Sequence, residues 1–388
     1  MDIKKLLVIA AEQKASDLHL VRDLKPILRI DGQLVPIDEA LKKNQASIDS
    51  GQIAPEYNND VYVLSEAGEI IPGTSRKHNS DSLSPLSAAD LESVASEMLH
   101  PDQQARLIKE RDLDFGYSVN GYRFRVNLSY ERDNLKMVAR VINNQSPTLE
   151  DVRMPSIIYN LLDMKQGLIL LTGPTGCGKS TSLAAMINYL NEKYNYNIVT
   201  FEDPIEFMFK SKKSIITQRQ LGSDFPSFAS GLRHVVRQDP NVIMVGEMRD
   251  LETISSAITL AETGHLVLAT LHTFNASQTV DRIIDIFPPF HQNQISSQLA
   301  SILAAVISQR LLPKVGGGRV AAREIMIRNS AIANLIREKK IVQIKNVIET
   351  SHDDGMVSLS HDVKDLYTQG LISKEVAESQ LDELELLV

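Results

Sequence analysis

The run Gly173-Pro174-Thr175-Gly176-Cys177-Gly178-Lys179-Ser180, with Thr181 next, sets glycines, a lysine and a hydroxyl at the spacing G-x-x-x-x-G-K-[ST]. These residue types at this spacing do one kind of chemistry well. The glycines let the backbone curl until successive N–H groups converge on an anion. The lysine offers a mobile cation to the outer phosphates of a nucleotide, and the serine hydroxyl can ligate Mg²⁺. The flanks agree. Gly167-Leu-Ile-Leu-Leu-Thr172 predicts a buried strand before the loop. Leu183, Met186, Ile187 and Leu190 predict a helix after it, whose positive dipole end would face the phosphates. A glycine-rich turn ending in Lys-Ser by chance is the bland alternative, and the flanking strand and helix weigh against it. Cys177 holds a variable position of the loop and reads as a small filler.

A nucleotide hydrolase needs one carboxylate to hold the metal's water shell and another to orient the attacking water. Phe201-Glu202-Asp203-Pro204-Ile205-Glu206 follows a predicted strand, Asn197–Phe201, and Val242-Ile-Met-Val-Gly246-Glu247 ends a second strand in an acid. Either acid alone reads equally well as a solvated strand end. Both together, downstream of a phosphate loop, make Glu206 and Glu247 candidates. His265 and His272 bracket a third apolar run, Leu266–Leu271. Strand alternation would put them on opposite sides, and His272, at the carboxyl end, is the one placed for a ligand. A structural hydrogen-bonder is the alternative for it.

Elements must hold these groups. Apolar runs alternating with helical patterns after residue 156 predict a parallel sheet covered on both faces. From about Ser296 the pattern predicts helix (Leu299, Ile302, Leu303, Val306, Ile307), then Ile332–Arg337 and Val363–Leu371. The first part of the chain reads differently. A short helix spans Leu6–Ala11, and Asp31-Gly32 and Asn120-Gly121 are hairpin turns. Helix resumes at Ala88, and strands are predicted at Phe115–Val119, Tyr122–Leu128 and Lys136–Ile142. Gly32-Gln-Leu-Val-Pro36 and Gly68-Glu-Ile-Ile-Pro72 share a form that an edge strand ending in proline explains. The predicted organisation is an α+β domain over 1–142, a proline-bearing linker over 143–155, and an α/β core with a helical C-terminal extension over 156–388.

Composition narrows the classes. A chain of 388 residues suggests two or three domains, and 43% apolar with 23% charged residues excludes wholesale disorder. The net charge of −8 weighs against a surface built to grip nucleic acid. One cysteine, Cys177, excludes a disulfide framework and a multi-cysteine zinc site. The longest nearly apolar stretch, Leu299–Ile307, is far short of the roughly 18 residues of a membrane span. The apolar core behind Met1 is also shorter than that of a signal peptide. A cytoplasmic protein is expected, reaching any membrane through a partner.

Taken together, the motifs resemble the PilT-type retraction ATPases of type IV pili, a branch of the secretion-type AAA+/RecA-like motors. The residues that carry the resemblance are Ser16-Asp-Leu-His-Leu20, Arg123-Phe-Arg-Val-Asn127, the phosphate loop and Thr200-Phe-Glu-Asp-Pro-Ile-Glu-Phe207. Arg233–Pro240, Val245-Gly-Glu-Met-Arg-Asp-Leu-Glu-Thr253, Ala269-Thr-Leu-His-Thr273 and Ala331-Ile-Ala-Asn-Leu-Ile-Arg-Glu338 complete it, over 1–40 and about 100–370. The resemblance implies a PAS-like N-terminal domain, a RecA-like (ASCE) core, ATP and Mg²⁺ as ligands, and a homohexameric ring. It also implies a platform protein of the inner membrane as partner, and no nucleic acid. By matching position, Lys179 would bind phosphate, Ser180 Mg²⁺, and Glu247 the metal through water. Glu206 would activate water and His272 would sense the γ-phosphate. Arg125, Arg132 and Arg140 would be the N-terminal arginines that reach an ATP site. Two departures stand out: Ala333 replaces a usual basic residue, and an insertion of roughly forty residues falls at about 40–85. A pilus-assembly or type II secretion ATPase is the nearest alternative, but its four-cysteine zinc subdomain cannot be built here. A nucleic-acid translocase on the same core would call for a basic channel. A switch without turnover would not need both Glu206 and Glu247.

Overall fold

The computed structural model describes residues 2–30, 32–41, 62–64, 70–72, 84–142 and 146–386. They form two compact units, Met1–Ile142 and Asn143–Val388. The predicted insertion falls mostly outside the described residues. Within it stand two short antiparallel strands, β4 (Tyr62–Leu64) and β5 (Ile70–Pro72).

The first unit is an antiparallel sheet backed by helices Ile3–Glu12, Ala88–Met98 and Pro101–Glu110. Its strands are β1 (Asp17–Leu20), β2 (Ile27–Ile30), β3 (Gln33–Pro36), β6 (Asp112–Val119), β7 (Tyr122–Glu131) and β8 (Asn134–Ile142), in the order β3-β2-β1-β8-β7-β6. Two-residue turns join β6 to β7 through Asn120 (φ +48°) and Gly121 (φ +79°), and β7 to β8 through Arg132 and Asp133 (φ +50° and +62°). The period of two decides the faces. On β7, Phe124, Val126 and Leu128 are buried against the helices, so Arg123, Arg125 and Asn127 take the other face. There Arg125 lies opposite Arg140 on β8, and Arg140 lies opposite Asp17 on β1.

The second unit carries a seven-stranded sheet in the order β11-β10-β12-β13-β9-β14-β15. The strands are β9 (Gly167–Thr172), β10 (Asn197–Glu202), β11 (Ile215–Gln220), β12 (Val242–Val245), β13 (Leu266–Thr270), β14 (Leu303–Pro313) and β15 (Arg319–Ile327). All pair in parallel except β15, which returns antiparallel to β14. Leu168 and Leu170 pack into one apolar core while Ile169 and Leu171 pack into another, and β10, β12 and β13 divide in the same way. With both faces buried, the strands read as unbroken apolar runs.

Two differences from the sequence expectations have physical causes. The helix at Pro289–Ile302 stops before Leu303, and the residues that follow are β14, central in the sheet, rather than helix. A segment apolar at nearly every position satisfies a buried strand and a buried helix equally, so periodicity could not separate them. Strand β11 carries no apolar pattern to predict it by, because four of its six residues, Thr217, Gln218, Arg219 and Gln220, are polar. Within the described part of the predicted linker, 146–155, Leu149 and Met154 are buried in the second unit's core. Beyond β15 the chain is helical (Ser330–Arg337, Ile344–Thr350, Leu359–Thr368 and Lys374–Leu386). Ala333 is buried there with Ile332 and Ile336, a setting that suits a methyl group. No helix among the described residues is long and apolar enough to cross a membrane.

Candidate functional site

Because β9, β10, β12, β13 and β14 run parallel, their carboxyl ends share one edge of the sheet, where ligands of such folds bind. The phosphate loop leaves β9 at that edge. Gly173, Gly176 and Gly178 have φ of +135°, +80° and +88°, a region open to glycine. At Gly173 space matters as well: a Cβ would stand 2.3 Å from the Gln309 carbonyl oxygen and 2.8 Å from Cys177 Sγ. Gly173→Ala is therefore expected to displace the loop. Backbone strain of about 1–3 kcal/mol should weaken nucleotide binding by roughly ten- to a hundredfold. Titration with a fluorescent nucleotide checks it, and unchanged affinity would show that the loop need not sit on Gln309.

Lys179 opens the helix Lys179–Lys193 and is buried. Its ammonium donates to Gly173 O at 2.7 Å and Pro174 O at 3.0 Å, which uses two of its three donors. Burial pulls its pKa below the ordinary lysine value, opposed by Cys177 and by the charges of Glu247 and Glu206. Burial likewise pushes the Cys177 thiol up, which fits an inert filler.

A cavity of about 470 Å³ opens over the loop. Of the candidates read from sequence, Thr175, Gly176, Gly178, Lys179, Ser180, Thr181, Glu206, Glu247 and His272 line it. Pro174 and Cys177 border a second cavity of about 660 Å³, which Thr175 and Gly176 also line. Gly173 is the loop's seat on β14. Glu247 follows β12, where Gly246 N donates to Phe201 O at 2.7 Å and Thr270 Oγ1 donates to Gly246 O. A Cβ on Gly246 would meet Phe201 O at 3.0 Å, so glycine lets β12 lie close against β10. The Glu247 carboxylate accepts from Arg249 Nε at 2.7 Å and lies 3.5 Å from His272 Nε2. His265, at the other end of β13, bonds Leu260 O at 2.9 Å, a structural role.

Arg125, Arg132 and Arg140 belong to the first unit, where two of them have carboxylate partners. Arg140 Nε donates to the buried Asp17 at 2.8 Å, and Arg125 pairs with Asp114 at 3.7 Å. Arg132 is a turn residue.

Sequence reasoning missed Glu202. It ends β10, buried, and accepts from Thr200 Oγ1 at 2.7 Å and Gln218 Nε2 at 3.0 Å. Burial raises its pKa, those hydrogen bonds oppose the rise, and the charge of Glu206 adds to it. The signal was present as an acid closing a buried apolar strand. Gln309 and Arg323, under the loop, were also missed.

The cavity offers what a nucleoside triphosphate with Mg²⁺ requires. A buried cation and a helix start face it, and a hydroxyl and several carboxylates line it. No group of three or more His, Cys, Asp or Glu among the described residues could hold a metal. Mg²⁺ is usually held by one or two carboxylates plus substrate phosphates, a pattern with which the hydroxyl and carboxylates lining this cavity are compatible.

A parallel sheet with β13 inserted between the phosphate-loop strand and the acid-bearing strand, and with this cavity at its carboxyl edge, defines a RecA-like P-loop ATPase. Residues 120–369 match the family model for type II/IV secretion system proteins, and the chain belongs to that family. It is 40% identical over 378 residues to the type IV pilus retraction ATPase PilT of Pseudomonas aeruginosa, covering 97% of both chains. It is 46% identical over 294 residues to a twitching motility protein of Neisseria gonorrhoeae, covering 75% of this chain and 79% of that one. A crystal structure of the pilus retraction motor PilT with bound ADP superposes with a TM-score of 0.80 at 38% identity, covering 97% and 96%.

Proposed function

We propose that this chain is the ATP-hydrolysing motor that powers retraction of a type IV pilus by pilin depolymerisation. One observation carries the reading. In a chain that aligns over 97% of its length with a retraction ATPase, Lys179, Ser180, Glu206, Glu247 and His272 converge on one cavity. Lys179 binds the outer phosphates. Ser180 and, through water, Glu247 hold Mg²⁺, which when bound neutralises phosphate charge. Glu206 orients the attacking water and accepts its proton. His272, beside Glu247, senses the γ-phosphate.

The motor is a homohexameric ring in the cytoplasm, held at the inner membrane by the pilus platform protein. Its N-terminal domain (1–142) supplies Arg125, Arg132 or Arg140 to a neighbour's ATP site across the connection at 143–155, so that hydrolysis in 156–388 changes the angle between domains. The assembly and type II secretion reading is weaker, because one cysteine cannot form a four-cysteine zinc subdomain.

The test is complementation of a piliated strain that lacks its own retraction ATPase. The wild-type chain should restore pilus shortening and twitching, and Lys179→Ala should not. An expressed, ATPase-active chain that leaves pili extended would overturn retraction. Rescue of pilus growth in an assembly-deficient strain would favour the alternative.

A further inference from the structure

A buried polar pair lies under the phosphate loop, where the surrounding core is apolar. Gln309 on β14 and Arg323 on β15 stand directly opposite each other in the antiparallel register, and both are almost fully buried. The Gln309 amide is oriented by its partners. Its Oε1 accepts from Ser182 Oγ at 2.9 Å and Arg323 Nε at 3.0 Å, and its Nε2 donates to the carbonyl of Cys177 in the phosphate loop. The flipped amide would aim N–H groups at a guanidinium that accepts nothing. Arg323 spends its other nitrogens on the chain entering from the first unit, with Nη2 donating to Val152 O at 2.7 Å and Nη1 to Arg153 O at 3.1 Å. Its backbone N–H donates to Asp362 on the helix Leu359–Thr368 at 2.7 Å. Burial lowers the Arg323 pKa to about 10, so the guanidinium stays charged at neutral pH.

A charge placed in an apolar layer costs more than a hydrophobic pair of the same volume, and it gains fixed geometry instead. Here the geometry joins the phosphate loop to residues 152–153 through four side-chain hydrogen bonds. We propose that Gln309 and Arg323 are positioning residues that pass the state of the phosphate loop to the segment linking the two units. A shift of the Cys177 carbonyl as the loop fills turns the Gln309 amide, which moves the guanidinium and the two carbonyls it clamps. This rests on the reading of the loop as the nucleotide site.

Hydrogen exchange of the full-length chain, with and without saturating ADP and Mg²⁺, tests it. In the wild type, nucleotide should slow exchange several-fold both in the phosphate loop and in 146–155. In Gln309→Leu, protection of the loop should persist and the response at 146–155 should vanish. Gln309→Glu, nearly isosteric, should fold and also uncouple, because it keeps an acceptor for Arg323 and loses the donor to Cys177 O. Arg323→Lys, which keeps a charge and fewer donors, should retain part of the response. In the uncoupled variants kcat should fall by tenfold or more while ADP affinity stays within about threefold. An unchanged response at 146–155 in both Gln309 variants, or a wild-type loop that responds while 146–155 does not, would overturn the proposal. A wild type in which ADP protects nothing at the loop would instead overturn the nucleotide-site reading, and the coupling with it.

Discussion

Lys179→Ala is expected to leave ATP turnover close to zero. The lysine is the buried cation of the cavity, held by Gly173 O and Pro174 O at the start of its helix. Alanine removes that charge from the phosphates and takes away the donor shared by two loop carbonyls. Loss of one preorganised oxyanion donor in acyl transfer costs roughly 10²–10³ in kcat, and loss of a full charge from the phosphates should cost at least as much. A steady-state phosphate-release assay on the purified protein checks it, and ordinary turnover would sink the assignment of the loop. The same variant probes the ring. Mixed with an Arg125→Ala/Arg140→Ala double variant, it should regain partial activity, because some sites would then pair an intact loop with intact arginines. Arg140 is a partner of the buried Asp17, so the double variant needs a thermal melt to show that the first unit still folds. Verified mixed rings without recovery would mean that the arginines do not act between subunits.

Glu206→Gln is expected to separate binding from chemistry. Glu206 is exposed to the cavity, whereas Glu202 is buried and already engaged by Thr200 and Gln218. An amide at 206 keeps the shape and cannot take a proton, so hydrolysis should fall by roughly 10²–10⁴-fold with ATP affinity nearly unchanged. Single-turnover hydrolysis and nucleotide titration on one sample decide it. Parallel loss of affinity and rate would assign Glu206 a structural or metal-holding role. Glu202→Gln forms the contrast, since its carboxylate serves β10 and β11, and its change should act on stability before rate.

Spacing along the chain determined whatever is local. Eight consecutive residues make the phosphate loop, and paired turn residues make the hairpin at Asn120-Gly121, because its φ requirements are met within two residues. Alternation of apolar runs with helices was enough to predict a parallel sheet, since such strands must be buried on both faces. The order of those strands was not legible. Tertiary structure alone sets β13 between β9 and β12, and so brings His272 to within 3.5 Å of Glu247. It alone made residues 303–313 a strand, because the apolar run 303–307 that opens it carries no period to choose by. Gln309 and Arg323 are unremarkable polar letters in the sequence. They became a buried pair under the phosphate loop only when β14 and β15 met in register, because a hydrogen bond depends on separation in space and not along the chain.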